Sequence, residues 1–200
     1  LHKRKLFIFE IFSPGVLMSY VRYISTSALL GALGNILAII SMFLGNIHPQ
    51  IAIDMSHVAT VIGAYILGPF WAALVGLLIS IVPFIRFGIM GSLGPLIGSL
   101  IFPGKAMTGL FTGFLARRIR RPIIALTLGY VPESLFTWAT FKLWIPIFAP
   151  QIAGWLTDAV IYGILVKAWF EILFIGAISE LIIPRVKGMI PYGLLDKPGH

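Results

Sequence analysis

Residues 58–85 read VATVIGAYILGPFWAALVGLLISIVPFI, a run with no charged side chain, broken once at Leu67-Gly68-Pro69. A helix needs about 20 apolar residues to cross a bilayer core, and Gly-Pro is a strong turn signal. The run therefore reads as two short apolar helices joined by a tight turn. The whole chain agrees: of its 200 residues 58% are hydrophobic and only 11% charged, with a mean hydropathy of +0.99. A soluble domain carries roughly a quarter charged residues, and the 22 here cannot wet a surface of this size. A soluble enzyme, a disordered regulator and a nucleic-acid-binding module are excluded on that ground. The chain has no cysteine, so thiolate metal sites, Cys nucleophiles and disulfides are excluded too.

Outward from that run, apolar segments near 24–43, 51–67, 70–86, 92–116, 122–145 and 157–183 predict an all-α, polytopic membrane protein. The expectation is six transmembrane helices in a bundle. Residues 5–11 are too short to span and are broken by Ser13-Pro14-Gly15, which suits an interfacial segment. The expected domains are an N-terminal cytoplasmic or interfacial segment over 1–23, a transmembrane substrate-binding domain over 24–185 and a cytoplasmic tail over 186–200. Basic residues give orientation, because cytoplasmic loops are rich in Lys and Arg. With the N-terminus inside, eleven of the 15 basic residues fall in cytoplasmic segments and only Arg86 outside. Both termini are then cytoplasmic. The net charge of +8 becomes a topology signal, with Arg117, Arg118, Arg120 and Arg121 beside anionic lipid rather than nucleic acid.

Ionisable residues inside a membrane are expensive and mark candidate sites. They are Lys105 in the fourth segment, Glu133 and Lys142 in the fifth, and Lys167 and Glu171 in the sixth. Lys167 and Glu171, spaced i,i+4, can pair on one helix face. Glu133 has no partner at i±3 or i±4. It must pair with Lys105 or Lys167 across the bundle, stay protonated, or meet a ligand. Lys142 follows Trp138 by four residues, which places an ammonium and an indole on one face towards the outer cavity. The alternatives are snorkelling for Lys142 and belt anchoring for Trp144. Asn46, His48, Asp54 and His57 cluster near the first outer loop. They are too few for a metal site, and Asp54 or Ser56 suits a helix cap instead. Phe102-Pro103-Gly104-Lys105 predicts a bend in the fourth segment. Gly98 to Lys105 fails as a P-loop, with the wrong glycine spacing and Ala106 where Ser or Thr is needed. Small residues recur four apart at Ala28/Ala32, Ala64/Gly68, Ala72/Gly76, Gly94/Gly98 and Gly109/Gly113, spacings that let helices approach closely.

Three passages together resemble the substrate-binding (S) component of an energy-coupling factor (ECF) type vitamin transporter. They are Ala28-Leu29-Leu30-Gly31-Ala32, similar to an AxxxA coupling motif; Ile53-Asp54-Met55-Ser56-His57 running into Tyr65 to Gly76 through Leu67-Gly68-Pro69; and Phe102 to Gly109 followed by Gly113 and Arg117-Arg118. The resemblance spans roughly residues 24–185. It implies a subunit of an ABC importer that captures a water-soluble vitamin or related micronutrient from outside, in the prokaryotic plasma membrane. Its implied partners are a transmembrane coupling subunit, contacted through Ala28 and Ala32, and two ATPases. ATP is used there, and this chain needs no cofactor or metal. The candidate substrate-binding residues are Glu133, Trp138, Lys142, His57, Asn46, Lys105 and Glu171. A stand-alone facilitator or proton-coupled carrier, titrating Glu133 or Glu171, is the alternative. No Ser/His or His/Glu helix motif points to an enzyme.

Overall fold

The turn at Leu67-Gly68-Pro69 forms as the sequence predicts. In the computed structural model, which describes residues 14–44, 46–48, 51–52, 54–154 and 156–189, Gly68 has φ +89°. Helix α1 is Pro14–Leu44, and an antiparallel ribbon of β1 (Asn46–His48) and β2 (Ile51–Ala52) follows it. Helix α2, His57–Ile66, ends as the amides of Leu67 and Gly68 both bond the Gly63 carbonyl. Pro69 then opens α3, Pro69–Leu78, at a position where a missing amide is harmless.

The chain continues through α4 (Ile81–Phe84), a π-helical turn over Ile85–Ile89, α5 (Gly94–Gly98) and α6 (Ile101–Ala116). Helix α7 is Pro122–Ala139, running into a second π-helical turn over Thr140–Trp144. Short helices α8 (Ile145–Phe148) and α9 (Pro150–Ala153) lead to the long α10, Asp158–Met189. The stretch 5–11 and most of the tail over 186–200 lie outside the described residues.

Among the described residues, three helical stretches are long and apolar enough to cross a membrane: Tyr20–Phe43, Pro69–Ile89 and Asp158–Met189. This corrects the expectation of six spans. Helix α2 has 10 residues, which at about 1.5 Å each covers only half of a ~30 Å core. Helix α6 starts at Ile101 rather than near residue 92, has 16 residues and buries Lys105. Helix α7 buries Glu133 and loses α-helical geometry at Thr140. Helix α2 is apolar because it is buried inside the protein, which composition does not distinguish from burial in lipid, whereas α6 and α7 also present exposed apolar side chains such as Phe111, Phe114, Leu128 and Leu135. The expectation that both termini are cytoplasmic rested on six spans, and the three candidate stretches do not carry it. The molecule is a membrane-associated helical bundle with apolar, membrane-length helices; only 22% of the α10 window is buried by protein, leaving its apolar surface for lipid.

Small residues set the packing. A Cβ on Gly109 would run into the Ala72 carbonyl oxygen, and one on Gly76 would run into the Lys105 carbonyl oxygen. The pairs Ala72/Gly76 and Gly109/Gly113 thus bring the backbones of α3 and α6 together. Gly129 of α7 meets Thr112 of α6 in the same way. Apolar side chains from α2, α7 and α10 (Val61, Leu126, Ile172 and Ile175) fill the core beside this seam. Asn35 of α1 repairs the break between α3 and α4. Its Nδ2 donates to the Leu78 carbonyl at 2.8 Å and its Oδ1 accepts from the Val82 amide at 3.0 Å. The side chain stands in for the i→i−4 bond those two groups would otherwise make.

Pro103 does not bend a helix at mid-length. It occupies the first turn of α6, where its ring starts the helix rather than interrupting it.

Candidate functional site

Gly76 admits the Lys105 backbone, and the Lys105 side chain reaches from α6 to the residues that open α2. Its Nζ donates to Asp54 Oδ2 at 2.6 Å and to Ser56 Oγ at 3.0 Å, and lies 3.2 Å from His57 Nε2. An ammonium has three donors and no acceptor, so all three are engaged, and His57 Nε2 is the acceptor of the third. The imidazole proton is then on Nδ1, which is buried without a hydrogen-bond partner among the described residues. Asp54 Oδ1 also accepts the Ser56 amide, ordering the start of α2 as an Asx turn. Ser56 precedes the helix but makes no side-chain cap. Burial pushes the Asp54 carboxyl up, but the Lys105 ammonium, with hydrogen bonds from Lys105 and Ser56, outweighs it and holds the group well below the usual carboxylate range.

Glu133 of α7 sits beside this cluster. Its Oε2 accepts from the Thr108 hydroxyl at 2.5 Å and lies 3.7 Å from His57 Nε2. With the imidazole neutral, that approach is a contact rather than an ion pair. Lys167 and Glu171 pair at 2.8 Å along α10, as their spacing predicts, and Glu171 Oε1 also accepts the Asp54 amide at 2.9 Å. Two helices thereby hold Asp54 in place: α6 through its carboxylate and α10 through its backbone.

These groups line a cavity of 460 Å³, within the range that takes small organic molecules. Its wall carries three basic side chains (Arg86, Lys105, Lys167), three carboxylates (Asp54, Glu133, Glu171) and the rings of Phe87, Tyr130, Phe136 and Phe141. Both π-helical turns contribute to it, through Arg86 and Phe87 and through Thr140 and Phe141.

Of the residues singled out from sequence, His57, Lys105, Glu133 and Glu171 meet at this cavity. Trp138 and Lys142 do not line it. Trp138 is 38% exposed, and Lys142 forms an ion pair with Asp158 at the start of α10. The Asn46 side chain lies outside the described residues. Ala28 and Ala32 are exposed on α1, away from the cavity wall. Asp54 and His57, weighed as metal ligands, are turned to Lys105 instead. No group of three or more His, Asp or Glu side chains suited to a metal occurs among the described residues. Sequence reasoning missed Thr108 and Tyr130, yet both stand one helical turn from a buried charge, Thr108 at Lys105+3 and Tyr130 at Glu133−3. That spacing was the available signal.

Comparison of the chain with protein-family models, with curated proteins and with solved structures gives no match. The likeness to ECF S components therefore rests on the quoted motifs alone.

Proposed function

We propose that this membrane protein captures a small, polar, vitamin-like solute in the cavity between α2, α6, α7 and α10. In this reading it is the substrate-capture subunit of an ECF-type importer, multi-pass in a prokaryotic plasma membrane, and has no enzymatic activity of its own. A separate coupling subunit and two ATPases supply the work of transport. The observation that carries the reading is the cavity itself: 460 Å³, walled by six Lys, Arg, Asp and Glu side chains within an otherwise apolar helical protein. Charges gathered around a space inside an apolar protein suit ligand binding better than scaffolding. The exposed Ala28 and Ala32 add support, since small residues on an open helix face suit close docking of another membrane helix.

Native mass spectrometry of the gently purified protein tests capture: a co-purifying small molecule supports it, and an empty protein that binds no solute from a cell extract removes it. Reconstitution in liposomes then tests coupling. Uptake that requires the coupling subunit and ATP supports the importer. Uptake by this chain alone, driven by a pH gradient, replaces it with a proton-coupled carrier in which Glu133 or Glu171 titrates.

A further inference from the structure

Within the cavity one carboxylate differs from the others in what it still lacks. Asp54 is paired with Lys105, and Glu171 with Lys167. Glu133 has no Lys or Arg within ion-pair distance among the described residues, and its one hydrogen bond, from Thr108, is to Oε2. Oε1 accepts no hydrogen bond among the described residues, and the Glu133 side chain keeps 12% of its surface accessible where it lines the cavity. A carboxylate has about four lone-pair positions. Leaving most of them unmet in an apolar setting is unfavourable unless a ligand or water meets them.

The space in front of Oε1 is kept clear by Gly104. A Cβ there would stand 3.9 Å from Oε1, 3.6 Å from Glu133 Cγ and 3.7 Å from Phe136 Cδ1. All three are ordinary van der Waals distances, so no packing constraint in the protein demands glycine at this position. Gly76 and Gly109, by contrast, are fixed by backbone contacts. What the missing side chain leaves is room between an open carboxylate oxygen and an aromatic ring.

We infer that Glu133 Oε1, approached across Gly104, is the docking point for a protonated or N–H-bearing nitrogen on a flat ring. The captured solute is then a nitrogenous ring compound of neutral or positive charge, not a carboxylate or phosphate. This deepens, and rests on, the reading of the cavity as a solute-binding site. The wall favours such a ligand on both counts. Phe136 and Tyr130 line the same cavity as Glu133, and cations and flat rings both pack favourably against aromatic rings. An anion would find all three Lys105 donors engaged, Lys167 already paired with Glu171, and the Arg86 guanidinium held over the Phe87 ring.

A matched pair of probes tests the assignment: benzamidinium and benzoate, alike in size and shape and opposite in charge. Binding is titrated by calorimetry on the full chain in nanodiscs. Benzamidinium should bind at least about tenfold more tightly than benzoate, the effect of one charge-assisted hydrogen bond. Glu133→Gln should abolish that preference. Gly104→Ala should weaken benzamidinium about tenfold with the melting temperature unchanged, because the added methyl meets only ordinary contacts. Equal or tighter benzoate binding, no binding of either probe, or wild-type affinity in both variants would each overturn the assignment. Failure here is separable from failure of the transport reading. If benzamidinium binds as expected and no uptake is found, transport falls and the subsite stands. If uptake proves to be of an anionic solute, transport stands and the subsite falls.

Discussion

Lys105 and Asp54, 51 positions apart in sequence, meet at 2.6 Å between Nζ and Oδ2, and this contact ties the loop before α2 to the middle of the bundle. Both partners also bond other groups, so the pair is the centre of a network rather than an isolated bridge. Removing one member of a buried pair leaves the other charge uncompensated, a loss on the order of 3 kcal/mol. Lys105→Met should therefore lower the melting temperature of the detergent-solubilised protein markedly. Combining it with Asp54→Asn should recover part of the loss. A double variant no more stable than Lys105→Met would show that the network does not depend on this pair.

The same contact predicts the acid limb of stability. Folding holds the Asp54 carboxyl well below its ordinary value of 3.8, through Lys105 against the opposing effect of burial. A group depressed in the folded state contributes stability that is present above about pH 4 and lost as pH falls towards its folded value. The melting temperature should fall below pH 4, and Asp54→Asn should flatten that fall while lowering the plateau. Melting curves from pH 7 to pH 2.5 on both proteins check this.

The α3–α6 seam leaves no room for a side chain. Gly109→Val would drive atoms into the Ala72 carbonyl, and overpacking of this kind costs about 3 kcal/mol. Gly163 of α10, exposed and with open space where a Cβ would stand, is the control. Gly163→Ala should be neutral or stabilising by up to about 1 kcal/mol, since Ala favours a helix. Thermal or denaturant midpoints of the two variants should move in opposite directions or, at the least, differ by several degrees.

Asn35 offers a third, independent test of the packing. Asn35→Leu keeps the branched shape but orphans the Leu78 carbonyl and the Val82 amide, which the side chain now satisfies. Two unmet backbone groups in a membrane-length stretch amount to roughly 2–3 kcal/mol. Hydrogen exchange at the Val82 amide should accelerate in the variant and is the direct readout; unchanged exchange would mean that the amide finds another partner.

The proposed coupling face makes a demand of another kind. Ala28→Leu with Ala32→Leu adds bulk to an exposed strip of α1 that faces neither the cavity nor a neighbouring helix core. Ligand binding and the melting temperature should be unchanged, and ATP-driven uptake with the partner subunits should be lost. Normal uptake by the double variant would detach Ala28 and Ala32 from any coupling role.

Local features were legible in the sequence, and assembly was not. The Leu67-Gly68-Pro69 turn and the Lys167–Glu171 pair depend on residues within one helical turn of each other, and both form as their spacing predicts. The count of spans failed because α2 is apolar through burial in protein, which hydropathy has no means of telling from burial in lipid, and because α6 and α7 are shorter than the apolar segments suggest and bury Lys105 and Glu133. The Asp54–Lys105 contact depends on how α2 sits against α6, which no local pattern encodes. Trp138 and Lys142 do not line the cavity, and Lys142 lies in a π-helical turn, where each amide reaches back five residues instead of four, so α-helical spacing from Trp138 does not fix where it points.

The two π-helical turns make the cavity wall sensitive to chain length. Around Ile85–Ile89 the Met90 amide bonds the Ile85 carbonyl, and around Thr140–Trp144 the Ile145 amide bonds the Thr140 carbonyl. Each turn holds one residue more than an α-helix would in the same place without breaking the helix. Both turns fall where the chain supplies wall to the cavity. The shape of this site can thus change by length as well as by substitution. Losing one residue from either turn would restore an α-helix and swing a different set of side chains inward, changing what the cavity accepts while leaving the α3–α6 seam untouched.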